Sequence, residues 1–90
     1  MGKLTVVVVN WNAGDRLLES VRSVLDSTAE AAVVVVDNDS TDGSVERLTE
    51  RYPAVRVVQT GENLGYGRGV NAGLQVVESE YLVVMNPDVF

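Results

Sequence analysis

Four consecutive valines, Val33 to Val36, run directly into Asp37-Asn38-Asp39-Ser40-Thr41-Asp42-Gly43-Ser44, and this junction limits the fold more than any other stretch. β-Branched residues without polar alternation suit a strand buried on both faces, a condition met in the middle of a parallel sheet. The carboxylates, amides and hydroxyls that follow then collect at the carboxyl end of that strand. Open α/β sheets bind ligands at that rim.

The rest of the chain repeats the alternation. Leu4 to Val9, Ala32 to Val36, Val55 to Val58 and Tyr81 to Met85 are the strand candidates. Helical periodicity separates them. Leu17, Leu18, Val21, Val24 and Leu25 define a first apolar stripe, with Asp15 placed to favour the helix dipole. Val45, Leu48 and Tyr52 define a second, with Ser40, Thr41 and Asp42 competing for its N-cap and Pro53 ending it. Val70, Leu74 and Val77 define a third, beside Gly65, Gly69 and Gly73. The β-α-β-α-β-α-β chain predicts an α/β, Rossmann-like half domain over residues 1–90, with three helices and right-handed crossovers. The doubly wound choice is a four-stranded parallel sheet of order 3-2-1-4, with the first two helices on one face and the third on the other. Its switch point lies between the first and fourth strands, which lead into Asn10-Trp11-Asn12 and Asn86-Pro87-Asp88.

With 90 residues, 46% of them apolar, the chain suits one small domain. Its net charge of −6 provides no basic stripe for nucleic acid and disfavours an anionic membrane surface. The absence of cysteine and histidine excludes disulfides, thiolate or imidazole metal sites, and Ser-His chemistry. No apolar run approaches the roughly 20 residues of a membrane span, and the N-terminus lacks a signal-peptide cleavage site. A soluble, cytoplasmic location is the expectation. One helix covers a face of four strands poorly, and the fourth strand would be an open edge. We therefore expect the front part of a longer protein, and a homo-oligomer formed through that edge.

Several residues carry candidate chemistry. Asp37, Asp39 and Asp42 at one strand end, with Asp88 beyond another, can accept from ribose hydroxyls or base N–H groups, or bind a divalent cation on a diphosphate. Capping of the second helix accounts better for Thr41 and Asp42, and ligand contact better for Asp37 at the strand terminus. Trp11, the single tryptophan, either plugs a gap beneath its loop or stacks on a nucleobase with Asn10 and Asn12 beside it. Gly67-Arg68-Gly69-Val70-Asn71-Ala72 fits G-x-G-x-x-A, but follows the third strand where the dinucleotide fingerprint follows the first. Glycines at that spacing suit close helix–sheet approach. Arg68 is either a solvated surface residue or a charge-assisted donor to a diphosphate. Pro87 turns the chain out of the last strand and presents Asp88 at the rim.

Together these motifs resemble the family 2 glycosyltransferases, the inverting group with the A-type nucleotide-sugar fold. Val9-Asn10-Trp11-Asn12 is similar to the family's Pro-Thr-Tyr-Asn-like loop, and Asp37 to Ser44 to its Asp-Asp-Gly-Ser-Thr-Asp-Gly-Thr segment. Asn63-x-Gly65 through Asn71-x-Gly73 is similar to its Asn-x-Gly-x-x-x-Ala-Arg-Asn-x-Gly stretch. Asn86-Pro87-Asp88 stands at the Asp-x-Asp signature, with Asn86 replacing the first Asp and Val70 the usual Arg before Asn71. This form resembles the rhamnosyltransferase-like branch of surface-polysaccharide synthesis.

The resemblance implies a UDP- or dTDP-linked nucleotide-sugar donor and a saccharide or lipid-linked acceptor. It implies that Asn10, Trp11, Asn12 and Asp37 hold the nucleoside, with Asn38, Ser40, Gly65 and Arg68 completing the donor site. Asn86 falls on the ribose side, and Asp88 on a Mg²⁺ or Mn²⁺ ion at the diphosphate. The family's acceptor region and catalytic base follow the signature, so none is assigned and the 90-residue chain is expected to be inactive alone. A self-assembling nucleotide-binding module is the second reading, and a dinucleotide-dependent oxidoreductase half domain the third.

Overall fold

The computed structural model describes residues 4–27, 31–62, 68 and 81–85. In chain order the elements are β1 (Leu4–Asn10), α1 (Asp15–Ser27), β2 (Ala31–Asp37), α2 (Ser44–Arg51), β3 (Arg56–Gln59) and β4 (Tyr81–Met85). All pairings are parallel, in the order β3-β2-β1-β4 expected from the sequence. The third helix and the face assigned to it lie outside the described residues, apart from Arg68, which is helical and exposed.

Register explains why the site forms where it does. β1 and β2 pair in step from Leu4↔Ala31 to Asn10↔Asp37, so two polar residues end neighbouring valine strands side by side. Gln59 of β3 stands opposite Asp37. The hydrogen bonds continue past the strand ends, from Asn38 N–H to the Asn10 carbonyl (2.9 Å) and from Thr60 N–H to the Asp37 carbonyl (3.1 Å). β4 pairs with β1 only as far as Met85, opposite Val8.

The unbroken valines do what a doubly buried strand requires. Val6, Val8, Val33 and Val35 point to one face and pack with Leu17 and Val21 of α1 and Leu48 of α2. Val7, Val9 and Val36 form a second cluster on the other face, with Val58 against it. Alternation along a strand sends successive side chains to opposite faces, so a polar residue anywhere in these runs would have been buried without a partner.

Helix α1 departs from expectation in its stripe. The buried residues are Leu17, Ser20 and Val21, with Leu18 and Val24 partly buried against the cluster. Leu25, expected on the inner face, is exposed. Ser20 lies within the buried arc between Leu17 and Val24, and Leu25 falls in the last turn of α1, past the core contacts of Leu18 on the same side.

Helix α2 corrects the N-cap. The capping position is Gly43, with φ of 80° and no side-chain cap bond, rather than Ser40, Thr41 or Asp42. Glycine adopts this left-handed turn without a Cβ penalty. At the other end Tyr52 leaves helical geometry ahead of Pro53, while its N–H still reaches the Leu48 carbonyl at 2.7 Å.

These two leucines separate periodicity from burial. Leu48→Ala should destabilise the protein by about 2–5 kcal/mol, the range for truncating a fully buried leucine. Leu25→Ala should stay within about 0.5 kcal/mol of wild type, as for other surface changes. Urea unfolding followed by circular dichroism measures both, and equal losses would refute the assigned orientation of α1.

Candidate functional site

Asn10 is the centre of the carboxyl rim. It is fully buried, and its side-chain nitrogen lies 3.0 Å from Asp37 Oδ1, 3.0 Å from Ser40 Oγ and 3.1 Å from Ser44 Oγ. An amide nitrogen carries two hydrogens, so three acceptors share them. The orientation of the amide follows from Asp37. Turned over, it would set its oxygen against the carboxylate; as it stands, a donor meets the buried negative charge.

That choice strands the other amide atom. Asn10 Oδ1 is buried with no hydrogen-bond partner among the described residues. Such an acceptor costs about 1–3 kcal/mol if nothing donates to it.

Asp37 is 2% exposed, and both its oxygens are engaged: Oδ1 by Asn10 and Oδ2 by the Ser40 N–H at 3.2 Å. Each retains a further lone pair. Asn38 is also buried, and its Oδ1 lies 3.1 Å from the Thr60 hydroxyl, which stands 2.6 Å from the Glu62 carbonyl. The end of β3 is thereby tied to the loop leaving β2.

The loops after β1 and β2 are laced together above this buried layer. Asn12 N–H donates to Ser40 Oγ at 2.9 Å, and Thr41 N–H donates to Asn12 Oδ1 at 2.8 Å. Gly14 N–H donates to Asp42 Oδ2 at 2.8 Å. Asp42 Oδ1 accepts from the Ser44 N–H (3.0 Å) and hydroxyl (2.6 Å). With its proton directed to Asp42, the Ser44 oxygen is left to accept from Asn10. One chain of bonds thus runs from the turn before α1 through Asp42 to the start of α2 and the end of β1.

Left-handed backbone makes these bends: Asn12 (φ 49°), Gly14 (φ 61°), Asp39 (φ 65°) and Gly43 (φ 80°). Asparagine and aspartate visit this region more readily than other side chains. Position 39 is where the resembled motif carries glycine, and the geometry explains why.

Trp11 is 55% exposed on the rim, so it plugs no gap beneath its loop. The structure therefore brings Asn10, Trp11, Asn12, Asp37, Asn38 and Ser40 into one corner of the molecule. Arg68 is exposed, and Gly65, Asn86 and Asp88 lie outside the described residues. Ser44, Thr60 and the cross-loop role of Asp42 were missed from the sequence, because their partners are distant along the chain. Among the described residues no three acidic side chains gather to hold a metal ion, and no helix is long and apolar enough to cross a membrane.

Comparison with known proteins identifies the family and the fold. The profile of Glycosyl transferase family 2 matches residues 5–90, and the chain belongs to that family. It is 37% identical to an N-acetylglucosaminyl-diphospho-decaprenol L-rhamnosyltransferase of Mycobacterium tuberculosis, over 96% of this chain and 32% of the relative. A mannosyltransferase from Pyrobaculum calidifontis, solved with GDP-Man and Mn²⁺, superposes with a TM-score of 0.82 at 30% identity, over 96% of this chain and 27% of that one. TarS of S. aureus superposes with a TM-score of 0.84 at 27% identity, with the same coverage of the two chains. The chain thus spans about a third or less of the length of these proteins.

Two outcomes test the rim. Asp39→Gly should hold or raise stability, whereas Asp39→Val should lower it by about 1–2 kcal/mol through left-handed strain, measured by urea unfolding. Asp42 supplies the pH dependence. Desolvation is the largest single influence and raises its carboxyl, but hydrogen bonds from the Ser44 hydroxyl, the Ser44 N–H and the Gly14 N–H together outweigh it and hold the group below the usual value. A depressed carboxyl stabilises the fold fully above the unfolded-state value, and that contribution disappears as pH falls through the folded one. Unfolding midpoints measured across the acid range should accordingly fall less steeply in Asp42→Asn than in wild type.

Proposed function

We propose that this chain forms the donor-nucleotide part of an inverting glycosyltransferase that moves a sugar from a UDP- or dTDP-linked donor to a saccharide or lipid-linked acceptor in surface-polysaccharide synthesis. One observation carries the reading: Asn10 and Asp37 are register partners at the sheet's carboxyl rim, next to the exposed Trp11 and beside the switch point between β1 and β4. The rhamnosyltransferase relative and the GDP-Man complex of the mannosyltransferase support it.

In this proposal Trp11 offers its ring face to the base. Asn10, Asn12 and Asp37, with Asn38 and Ser40 behind them, define the pocket edge that receives the nucleoside. Asn10 Oδ1, without a donor among the described residues, is an acceptor that a ribose hydroxyl or base N–H would satisfy. We assign Arg68 to the diphosphate, Asn86 to the ribose side and Gly65 to the donor site without a specific contact.

Transfer requires the acceptor hydroxyl to attack the anomeric carbon, lose its proton to a base, and expel the nucleoside diphosphate. The donor site contributes by fixing the donor and accommodating negative charge on the leaving group. A Mg²⁺ or Mn²⁺ ion would neutralise part of that charge when bound. Asp37, the buried carboxylate at the rim, has both oxygens already engaged, so Asp88 is the carboxylate we assign to that ion. No residue of the chain is assigned as the base.

A second reading, self-association, has one observation in its favour: Val83 on β4, at the edge of the sheet, is 46% exposed. Sedimentation at rising concentration tests it, and a constant monomer mass would remove it.

The donor site is tested by calorimetry with UDP, dTDP, GDP and NADH, with and without Mn²⁺, alongside quenching of Trp11 emission. A nucleoside diphosphate should bind, quench Trp11 and gain affinity from Mn²⁺, and Asp88→Ala should lose only the Mn²⁺-dependent part. Preference for NADH, or binding without any change at Trp11, would overturn the reading. Mn²⁺ enhancement that survives in Asp88→Ala would remove that residue from the site.

A further inference from the structure

We propose that Asp42 is a positioning residue for the nucleoside end of the site: its carboxylate clamps the loop after β1 to the start of α2 and so fixes the presentation of the Trp11 ring. The functional half of this proposal rests on the reading of Trp11 as a surface for the base.

An exposed tryptophan is not held in place by its own burial. Its position is set by the backbone on either side, and the two sides differ. Upstream, Asn10 is a strand residue with a buried side chain. Downstream, the chain passes through Asn12 and Gly14, both left-handed, before α1 begins at Asp15. Backbone of this kind persists when its surroundings over-determine it.

The downstream side is restrained by three bonds to the neighbouring loop: Asn12 N–H to Ser40, Thr41 N–H to Asn12, and Gly14 N–H to Asp42. Only the last involves a formal charge, and charge-assisted bonds are the stronger class. Asp42 is also the only one of the three acceptors anchored to a helix, through the Ser44 N–H and hydroxyl. Its two oxygens divide the work, Oδ1 holding α2 and Oδ2 holding the Trp11 loop. Because Asp42 is exposed, replacing it opens no cavity.

Trp11 is the only tryptophan in the chain, so its emission reports this loop alone. The experiment compares time-resolved anisotropy of Trp11 in the intact wild-type protein, Asp42→Asn, Asp42→Ala and the surface control Glu46→Gln. It then measures the affinity of each for the tightest of UDP, dTDP and GDP. Asp42→Ala should free fast local motion of Trp11 and weaken binding roughly tenfold, the scale of one charge-assisted hydrogen bond. Asp42→Asn keeps one acceptor oxygen and should fall between Asp42→Ala and wild type, while Glu46→Gln should match wild type.

Unchanged anisotropy in Asp42→Ala would overturn the clamp. Freed motion with unchanged affinity would overturn its role in binding. Trp11→Ala, followed by calorimetry, separates the two layers: if it leaves affinity unchanged, the base-stacking reading has failed whatever Asp42 does, while the anisotropy still decides whether Asp42 holds the loop.

Discussion

The pairing of Asn10 with Asp37 is the constraint from which the rest of the rim follows. Two valine strands end in register, one in an amide and the other in a carboxylate, and both side chains are buried. A buried carboxylate needs donors, and the amide of Asn10 and the N–H of Ser40 supply them. Once the amide turns its nitrogen toward Asp37, Ser40 and Ser44 share the same nitrogen and the loops they sit on are drawn in. The buried layer sets the shape of the corner, and the exposed residues above it inherit their positions.

Much of this architecture was legible because it depends on patterns local in sequence. Uninterrupted valines identify doubly buried strands, and the alternation with helical stripes leaves few topologies; the order β3-β2-β1-β4 was one of them. The strand bounds shifted by a residue or so, because Asn10 and Asp37 extend the ladder although their polar side chains read as loop. Leu25 and the N-cap were misjudged for one shared reason. Periodicity and capping preference rank residue types, whereas Leu25 lies in the last turn of α1 and the left-handed turn before α2 falls on Gly43.

The site was legible in outline and opaque in its connections. That Asn10, Trp11, Asn12 and Asp37 would gather at one rim follows from parallel strands ending together. That Gly14 would bond Asp42, or Thr60 stand beside Asn38, depends on loop paths that no periodicity encodes. In the motif from Asp37 to Ser44 the sequence reads Thr41 and Asp42 as capping residues and Asp37 as a ligand contact. The structure adds a set of internal ties, with Asp37, Asn38 and Ser44 buried and Asp42 spanning two loops.

This sorting changes what the polar cluster is for. Residues whose hydrogen bonds are satisfied inside the protein hold geometry before any ligand arrives, and such preorganisation lowers the ordering cost of binding. Trp11, Asn12, Asp39, Thr41 and Asp42 are the exposed residues of the two loops. Asn10 stands between the two groups: its nitrogen builds the frame, while its oxygen is buried without a donor among the described residues. A frame that satisfied every polar atom would be more stable in isolation. An acceptor buried without a donor carries a modest penalty, so the stability of the rim depends on what surrounds this one side chain.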